Sequence, residues 1–271
     1  MTDPLAAALA AARGLGLPVD DPLVIGDGAN VSVHLRPAPV VARVTVALVR
    51  GRAALEGELA YARTAAARGA PVVSPSDDRV HEHEGLHVTF WQHVEHREPE
   101  PEDAPAAGRA LRELHQATRD LELRLDRFDR LDEAEGVARA LDHPEAPLML
   151  DAIGVARERL AQLRFDEQPL HGDAHLRNVL VTAGGPLWGD LENVCRGPIE
   201  YDLAASAWRT RVHGSPGLLQ AYGPHDPQLV EELMPVLAAF LVPWNVLMFL
   251  RSGSVDSPYL RQRIDYLRTF S

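Results

Sequence analysis

Three side chains that could bind a cation or accept a proton follow one another closely in the second half of the chain. Asp173 stands five positions before Asn178, and Asp190 ends the second of the two apolar runs that follow. A hard cation such as Mg²⁺ takes oxygen ligands and is commonly held by one or two carboxylates together with substrate phosphates. Asn178 and Asp190 therefore predict a magnesium site, and Asp173 is the candidate to orient an attacking hydroxyl and accept its proton.

The residues around these three predict a β-hairpin. A short apolar run leads to the polar segment that begins at His171, and a second apolar run starts after Asn178. Residues 183–186 have the sequence Ala-Gly-Gly-Pro, which is typical of a turn, and a third run follows them up to Asp190. The hairpin would then carry one carboxylate before its first strand, at Asp173, and one after its second strand.

Taken together, three motifs in this stretch resemble those of the aminoglycoside phosphotransferase and choline-kinase-like family, which are small-molecule kinases of protein-kinase-like fold. The motifs are His171-Gly172-Asp173 with Asn178, Gly189-Asp190-Leu191-Glu192, and Gly197-Pro198-Ile199-Glu200-Tyr201-Asp202-Leu203-Ala204. The resemblance implies that Asp173 is the catalytic carboxylate and that Asn178 and Asp190 hold Mg²⁺. It also implies that His171 shapes the catalytic loop and that Asp202 supports this loop from the next helix.

The same resemblance implies a nucleotide site in the first part of the chain. In kinase-like folds the third strand carries a Lys that contacts the nucleotide phosphates and pairs with a Glu on the following helix. Arg43 has this position here, Glu58 is the expected partner, and Glu56 is its nearest competitor. A planar guanidinium is not equivalent to an ammonium group, so the sequence leaves open whether Arg43 fully replaces the Lys.

Backbone groups are expected to complete the nucleotide site. A turn at residues 26–30 can present N–H groups to phosphates, and Gly28, Asn30 and Ser32 are its candidate nucleotide-binding residues. By the resemblance, the backbone at Gln92 and Val94 would read the edge of the purine. Backbone contacts of this kind leave the choice between ATP and GTP open.

The pattern of elements predicts an α+β fold with two lobes. Strand signals and one helix predict a small antiparallel nucleotide-binding lobe over residues 1–95, and a polar, proline-rich stretch marks its end. Residues 96–271 would form a larger, mainly helical catalytic and acceptor-binding lobe. The most apolar stretch, residues 233–250, is interrupted by Pro235, Pro243 and Asn245, so we expect a buried helix pair there instead of a membrane span.

The composition limits the classes of binding partner and the cellular location that we expect. All 27 basic residues are Arg, against 39 acidic residues, and the formal net charge of −12 argues against a nucleic-acid partner. Cys195 is the only cysteine, which excludes an intramolecular disulfide. The first residues lack the basic and apolar segments of a secretory signal, so we expect a cytoplasmic protein that does not contact a membrane.

The leading hypothesis is an ATP- or GTP-dependent phosphotransferase that uses Mg²⁺ and acts on a hydroxyl of a small molecule. The acceptor could be an aminoglycoside or other antibiotic, or a sugar or amino-alcohol metabolite, and no motif identifies it. A non-catalytic, nucleotide-binding regulator of kinase fold is the main alternative, because Arg43 replaces the usual Lys.

A metal-dependent hydrolase is the second alternative. His171, Asp173 and His175 form an H-x-D-x-H pattern, and His and Asp are ligands of zinc and of two-metal sites. Such a site needs further histidine ligands, and only His213 and His225 follow in the sequence. Several more histidines lie within residues 81–96 and could either bind a metal or be solvated strand residues.

Overall fold

The first part of the protein is an antiparallel sheet with one helix on each side. The computed structural model describes residues 3–28, 30–46, 51–213, 217–252 and 257–271. The elements of this part are α1 (Pro4–Gly14), β1 (Val19–Asp27), β2 (Asn30–Pro37), β3 (Val40–Thr45), α2 (Arg52–Ala67), β4 (His81–His83) and β5 (Leu86–Gln92). The strand order is β1-β2-β3-β5-β4, and every neighbouring pair is antiparallel.

The second part is mainly helical. Its elements are α3 (Ala104–Thr118), α4 (Leu131–Ala140), α5 (Ala146–Gln162), β6 (Gln168–Leu170), β7 (Val179–Thr182), β8 (Gly185–Trp188), β9 (Cys195–Gly197), α6 (Ile199–His213), α7 (Gly217–Tyr222), α8 (Pro227–Ser252) and α9 (Pro258–Leu267). Strands β7 and β8 form the predicted hairpin, and β6 pairs with β9. The predicted α+β architecture with a small sheet lobe and a larger helical lobe is confirmed. The lobe boundary after residue 95 stays a prediction.

The two faces of the five-stranded sheet differ in chemistry. Alternate residues of β2, such as Val31, Val33 and Leu35, are buried in an apolar cluster with the alanines of α1. Side chains that oppose each other across a ladder lie on the same face, and the register pairs Arg43 with both Ser32 and Thr89. Arg43 and its neighbours therefore form a polar face on the side away from α1, which we call the cleft face.

The expected helix pair within residues 233–250 is wrong, because one helix, α8, spans Pro227–Ser252 with Pro235 and Pro243 inside it. Each proline removes a helical hydrogen bond. Packing against α4, α5, α6 and α9 compensates for this loss by burying most of the apolar side chains of α8. Residues Pro227–Arg251 are long and apolar enough to cross a membrane, but 61% of the most apolar window is buried inside the protein, as in a core helix.

The sequence did not predict the short helix α7 (Gly217–Tyr222). Asp3 caps α1 by accepting a hydrogen bond of 3.0 Å from the Leu5 N–H. Ala29 of the predicted first turn lies outside the described residues, as does Thr2, which precedes the capping residue.

Gly108 allows α3 to lie against α7, and its replacement tests this contact. A Cβ atom at Gly108 would lie 2.2 Å from the carbonyl oxygen of Leu218. We expect Gly108→Ala to lower the free energy of unfolding by about 1–3 kcal/mol or more, because backbone on both sides must move. Urea denaturation would measure the loss.

Gly136→Ala is the matched control for this prediction. Gly136 lies inside α4, and a Cβ atom there would meet nothing within 4 Å. This substitution should raise the free energy of unfolding by about 0.5–1 kcal/mol, since Ala has the higher helix propensity. Equal effects of the two substitutions would contradict the close approach of α3 and α7.

Candidate active site

The segment that joins β6 to β7, residues 171–178, is held by a buried carboxylate, and we call it the HGD loop. Asp202, in the first turn of α6, is fully buried. Its carboxylate accepts hydrogen bonds from the backbone N–H groups of His171, at 2.9 Å, and Gly172, at 2.7 Å. The ring of His115 on α3 donates a third, at 2.9 Å from Nε2, and the hydroxyl of Tyr222 lies 2.9 Å from its Nδ1. Three donors thus compensate the burial of this charge.

Gly172 is the point at which the HGD loop meets the segment after Asp190. Its φ angle is +83°, in the region that favours glycine, and a Cβ atom would lie 1.8 Å from the carbonyl oxygen of Asn193. No side chain can be accommodated there without moving backbone. Glycine therefore permits both the turn of the loop and its close approach to this segment.

His171 connects the HGD loop to the end of the hairpin. Its Nε2 donates to the carbonyl oxygen of Gly189 at 2.9 Å, and its Nδ1 accepts from the N–H of Asp173 at 3.3 Å. Burial lowers the pKa of His171, which favours the neutral ring that this arrangement requires. With both ring nitrogens engaged in this way, His171 is not placed as a metal ligand.

Asp173 and Asn178 lie at the two ends of the HGD loop and are in direct contact. The side-chain amide of Asn178 donates to the backbone carbonyl of Asp173 at 2.9 Å, so its amide oxygen is the atom that could bind a cation. The carboxylate of Asp173 is partly open to solvent, and Nε2 of the buried His175 lies 3.4 Å from one of its oxygens. Asp173 is thus accessible and oriented by its neighbours.

Asp190 lies beside Asn178 at the end of the hairpin. The N–H of Gly189 donates to the backbone carbonyl of Asn178 at 2.8 Å, and Asp190 itself has a φ angle of +52°. Partial removal from water and the nearby charges of Glu192 and Asp173 raise the pKa of Asp190 to about 7, against the opposing effect of Arg43. Such repulsion between carboxylates is relieved when a cation binds between them.

Arg43 makes the ion pair with Glu58 that the sequence predicted. Glu58 is fully buried, Arg43 is 9% exposed, and a second guanidinium nitrogen of Arg43 lies 3.9 Å from the carboxylate of Asp190. Burial alone would lower the pKa of Arg43, but Glu58, Asp190 and Glu192 outweigh it and the net pKa is raised. Glu56 is exposed and pairs instead with Arg52, at 2.8 Å. A role of Arg43 and Glu58 toward a nucleotide stays a prediction.

The other predicted nucleotide residues lie on or near the cleft face. Ser32 pairs with Arg43 across β2 and β3, and the N–H of Gly28 donates to the carbonyl of Asn30 at 3.1 Å. Gln92 is the last residue of β5 and Val94 follows that strand, and the N–H of Gln92 donates to the carbonyl of Ser74 at 2.9 Å.

Hydrogen bonds within the protein restrict how this backbone could contact a purine. The carbonyl of Val94 lies 2.7 Å from Nδ1 of His96. A purine contact at Val94 would therefore use its N–H. The N–H of Gln92 is engaged with Ser74 as well, so Gln92 could contribute only its carbonyl.

Sequence reasoning named Glu192 without its partner, and it missed Trp91 and His115. Glu192 accepts a hydrogen bond of 2.6 Å from the side chain of Asn30, which links the first turn of the sheet to the segment after Asp190. The ring of Trp91 lies 4.9 Å from the guanidinium carbon of Arg43. His115 gave one usable signal, since it is a polar residue on the apolar face of α3; Glu192 and Trp91 gave none that identifies their partners.

The histidine patterns do not form a metal centre in the described part of the chain. Across residues 3–28, 30–46, 51–213, 217–252 and 257–271, no group of three or more His, Cys, Asp or Glu is arranged to hold a metal ion. Among the histidines of residues 81–96, His81 pairs with Asp77 at 2.7 Å, and His93 stacks on His34. A Mg²⁺ ion held by Asn178, Asp190 and substrate phosphates would need no such group.

The fold and this site together define a kinase-like phosphotransferase. Residues 27–236 match the family model described as the phosphotransferase enzyme family, so the chain belongs to this family. It is accordingly a small-molecule kinase with a hydroxyl acceptor. No curated protein matches the sequence.

Solved structures support the fold over nearly the whole chain. The amicoumacin kinase hAmiN, in complex with AMP-PNP, Ca²⁺ and Ami, has a TM-score of 0.70 at 13% identity, covering 96% of this chain and 91% of that one. A choline/ethanolamine kinase family protein from Mesorhizobium loti has a TM-score of 0.68 at 19% identity, with coverage of 97% and 92%. The choline kinase LicA from Streptococcus pneumoniae has a TM-score of 0.70 at 14% identity, covering 98% of each chain.

Replacing Glu58 tests the buried ion pair with Arg43. We expect Glu58→Gln to lower the free energy of unfolding by about 3–5 kcal/mol, because it leaves a buried guanidinium without its counter-charge. Glu56→Gln on the same helix is the control and should change it by less than about 1 kcal/mol, since its pair with Arg52 is exposed. Similar losses for both variants, measured by urea denaturation, would contradict this assignment.

The raised pKa of Asp190 predicts a pH-dependent stability. The folded protein favours the protonated carboxyl, so this contribution is lost as the pH rises from the ordinary pKa of 3.8 through about 7. Asp190→Asn should therefore raise the melting temperature more at about pH 8 than at about pH 5, with divalent cations chelated. About half of the side chain remains exposed, at 49%, so we expect the direction of this effect and less than its full size.

The control for this measurement is Asp142→Asn, which changes an exposed carboxylate just after α4. Its effect on the melting temperature should be similar at both pH values. A difference between wild type and Asp190→Asn that stays constant across the pH range would exclude a raised pKa at Asp190.

Proposed function

We propose that the protein transfers the γ-phosphate of ATP or GTP to a hydroxyl of a small molecule, with Asp173 as the catalytic base. The hydrogen bonds made by Asn178 are the main support for this proposal. Its side chain holds the carbonyl of Asp173, and its own carbonyl accepts the N–H that precedes Asp190. The three candidate catalytic residues are thus held together by direct hydrogen bonds of the HGD loop and the hairpin.

Asp173 is suited to act on the acceptor hydroxyl. Its carboxylate is accessible, and its backbone is fixed from both sides by His171 and Asn178. A base held in this way orients the hydroxyl toward the phosphorus atom and accepts its proton as the new bond forms. His175 lies 3.4 Å from one carboxylate oxygen and would help to hold the side chain in place.

The residues present fit a magnesium ion. Asp190 has a raised pKa beside Glu192 and Asp173, and the amide oxygen of Asn178 is available on the neighbouring strand end. When bound, Mg²⁺ would neutralise charge on the β- and γ-phosphates. Asn178 and Asp190 would hold it, and Glu192 is already engaged by Asn30.

Arg43 and the first turn of the sheet would hold the nucleotide phosphates. The Nε atom of Arg43 is buried and has no hydrogen-bond partner among the described residues, and a phosphate oxygen would supply one. Asn30 and Ser32 lie on the adjoining strand β2, and Gly28 lies in the turn before it. Gln92 ends β5, and Val94 follows that strand. We assign these residues to the phosphates and to the purine edge, respectively.

The acceptor is a small hydroxyl compound, such as an aminoglycoside or other antibiotic, or a sugar or amino-alcohol metabolite. Structural relatives are named for amicoumacin, choline, aminopropanol and spectinomycin. The net charge of −12 favours a cationic acceptor and disfavours nucleic acid. We further propose that residues 1–95 and 96–271 are the two lobes, and that the protein acts in the cytoplasm without contacting a membrane.

Asp173→Asn tests the proposed base. We expect phosphate transfer to fall by about 10²- to 10⁴-fold, because the amide cannot accept the proton, while nucleotide binding is retained. The assay is transfer from ATP and from GTP, with Mg²⁺, to a panel of aminoglycosides, other hydroxyl-bearing antibiotics, amino sugars and choline. Product mass should increase by one phosphate.

Asp151→Asn, at an exposed position on α5, is the matched control and should transfer phosphate like the wild type. Full turnover by Asp173→Asn would exclude Asp173 as the base. Tight nucleotide binding without transfer to any acceptor would favour the non-catalytic regulator, for which the replacement of Lys by Arg43 is the one supporting feature.

A further inference from the structure

Two histidines stack on each other where the sheet meets the segment after β5. The rings of His34 on β2 and His93 have centroids 3.6 Å apart and are inclined by only 8°. Both residues are partly exposed, and His93 lies between Gln92 and Val94. This parallel pair is therefore a flat aromatic surface that the fold leaves partly exposed.

The register of the sheet places this pair on the cleft face. His34 lies opposite Val41, and Val41 lies opposite Trp91, so the three side chains share one row across β2, β3 and β5. The next row of the same face contains Arg43, two residues along β3. Two residues of strand correspond to about 6.6 Å, which separates the backbone of the histidine row from the backbone of Arg43.

The surroundings of the pair suit an apolar, planar ligand. Leu23 lies opposite His34 on β1 and leaves 43% of its surface exposed, although it is a large apolar side chain. Burial lowers the pKa of His93, with further lowering by His34 and His96, so its ring is uncharged at neutral pH. An aromatic face beside an exposed leucine is the kind of surface on which a nucleobase stacks.

We propose that the His34–His93 pair is the platform on which the purine of the nucleotide stacks. This inference rests on the proposed function, because it names the residues that bind the base of the co-substrate. The base would lie on the open side of the pair, with its phosphates directed along the strands toward Arg43. Stacking does not distinguish bases, so adenine and guanine nucleotides would use the platform alike.

The test compares ligands with and without a base. Binding of ATP, GTP and inorganic tripolyphosphate to the full chain would be measured by calorimetry in the presence of Mg²⁺. For His34→Ala we expect Kd to rise about tenfold for ATP and GTP, because one aromatic contact is lost. Tripolyphosphate has no base, so its Kd should not change.

Two further variants separate stacking from damage to the fold. His34→Phe keeps a planar ring and should restore nucleotide binding to within about threefold of wild type. His83→Ala removes a histidine from β4, at the opposite edge of the sheet from β1, and should leave all three Kd values unchanged.

Three results would overturn the platform. Unchanged or tighter ATP binding by His34→Ala would show that the rings do not contact the base or that they fill its place. Equal weakening of ATP and tripolyphosphate would show that the substitution acts on the phosphate site or the fold. Failure of the wild type to bind any nucleotide would instead reject the proposed function, and the platform with it.

Discussion

The buried carboxylate of Asp202 is the constraint on which the site depends. An ionised group removed from water is stable only when donors surround it, and here the HGD loop supplies two backbone N–H groups while α3 supplies His115. One charge therefore fixes the HGD loop, α6 and α3 relative to one another. Because the ring of His115 also contacts the hydroxyl of Tyr222, at the end of α7, the position of Asp173 depends on α3, α6 and α7 together.

Contacts between the sheet and the hairpin then orient the candidate nucleotide residues toward the HGD loop. Arg43 reaches Asp190 from β3, and Asn30 reaches Glu192 from the start of β2. Both contacts end on carboxylates that repel each other, as the raised pKa of Asp190 shows. A cation and a polyphosphate bound between these elements would replace repulsion with attraction, so ligand binding should stabilise the arrangement of the two lobes.

Sequence reasoning succeeded where partners are close along the chain or where a pattern has a fixed period. The spacing of Asp173, Asn178 and Asp190 follows a hairpin, and Glu58, which the family resemblance named as the partner of Arg43, lies only 15 residues from it. It failed where partners are distant: Asp202 lies 87 residues from His115, and no local signal joins them. The prolines of α8 misled because their local preference was outweighed by tertiary packing, which the sequence does not display.

The guanidinium of Arg43 has a physical consequence that a lysine could not reproduce. One of its nitrogens pairs with Glu58 while another reaches toward Asp190, so a single side chain contacts the helix and the hairpin at once. An ammonium group is a compact point charge and lacks this planar spread of donors. The planar group also lies over the ring of Trp91, which restricts its rotation. Arg43 therefore serves as a fixed connection between α2 and Asp190, and a bound phosphate would meet a cation whose position is already determined.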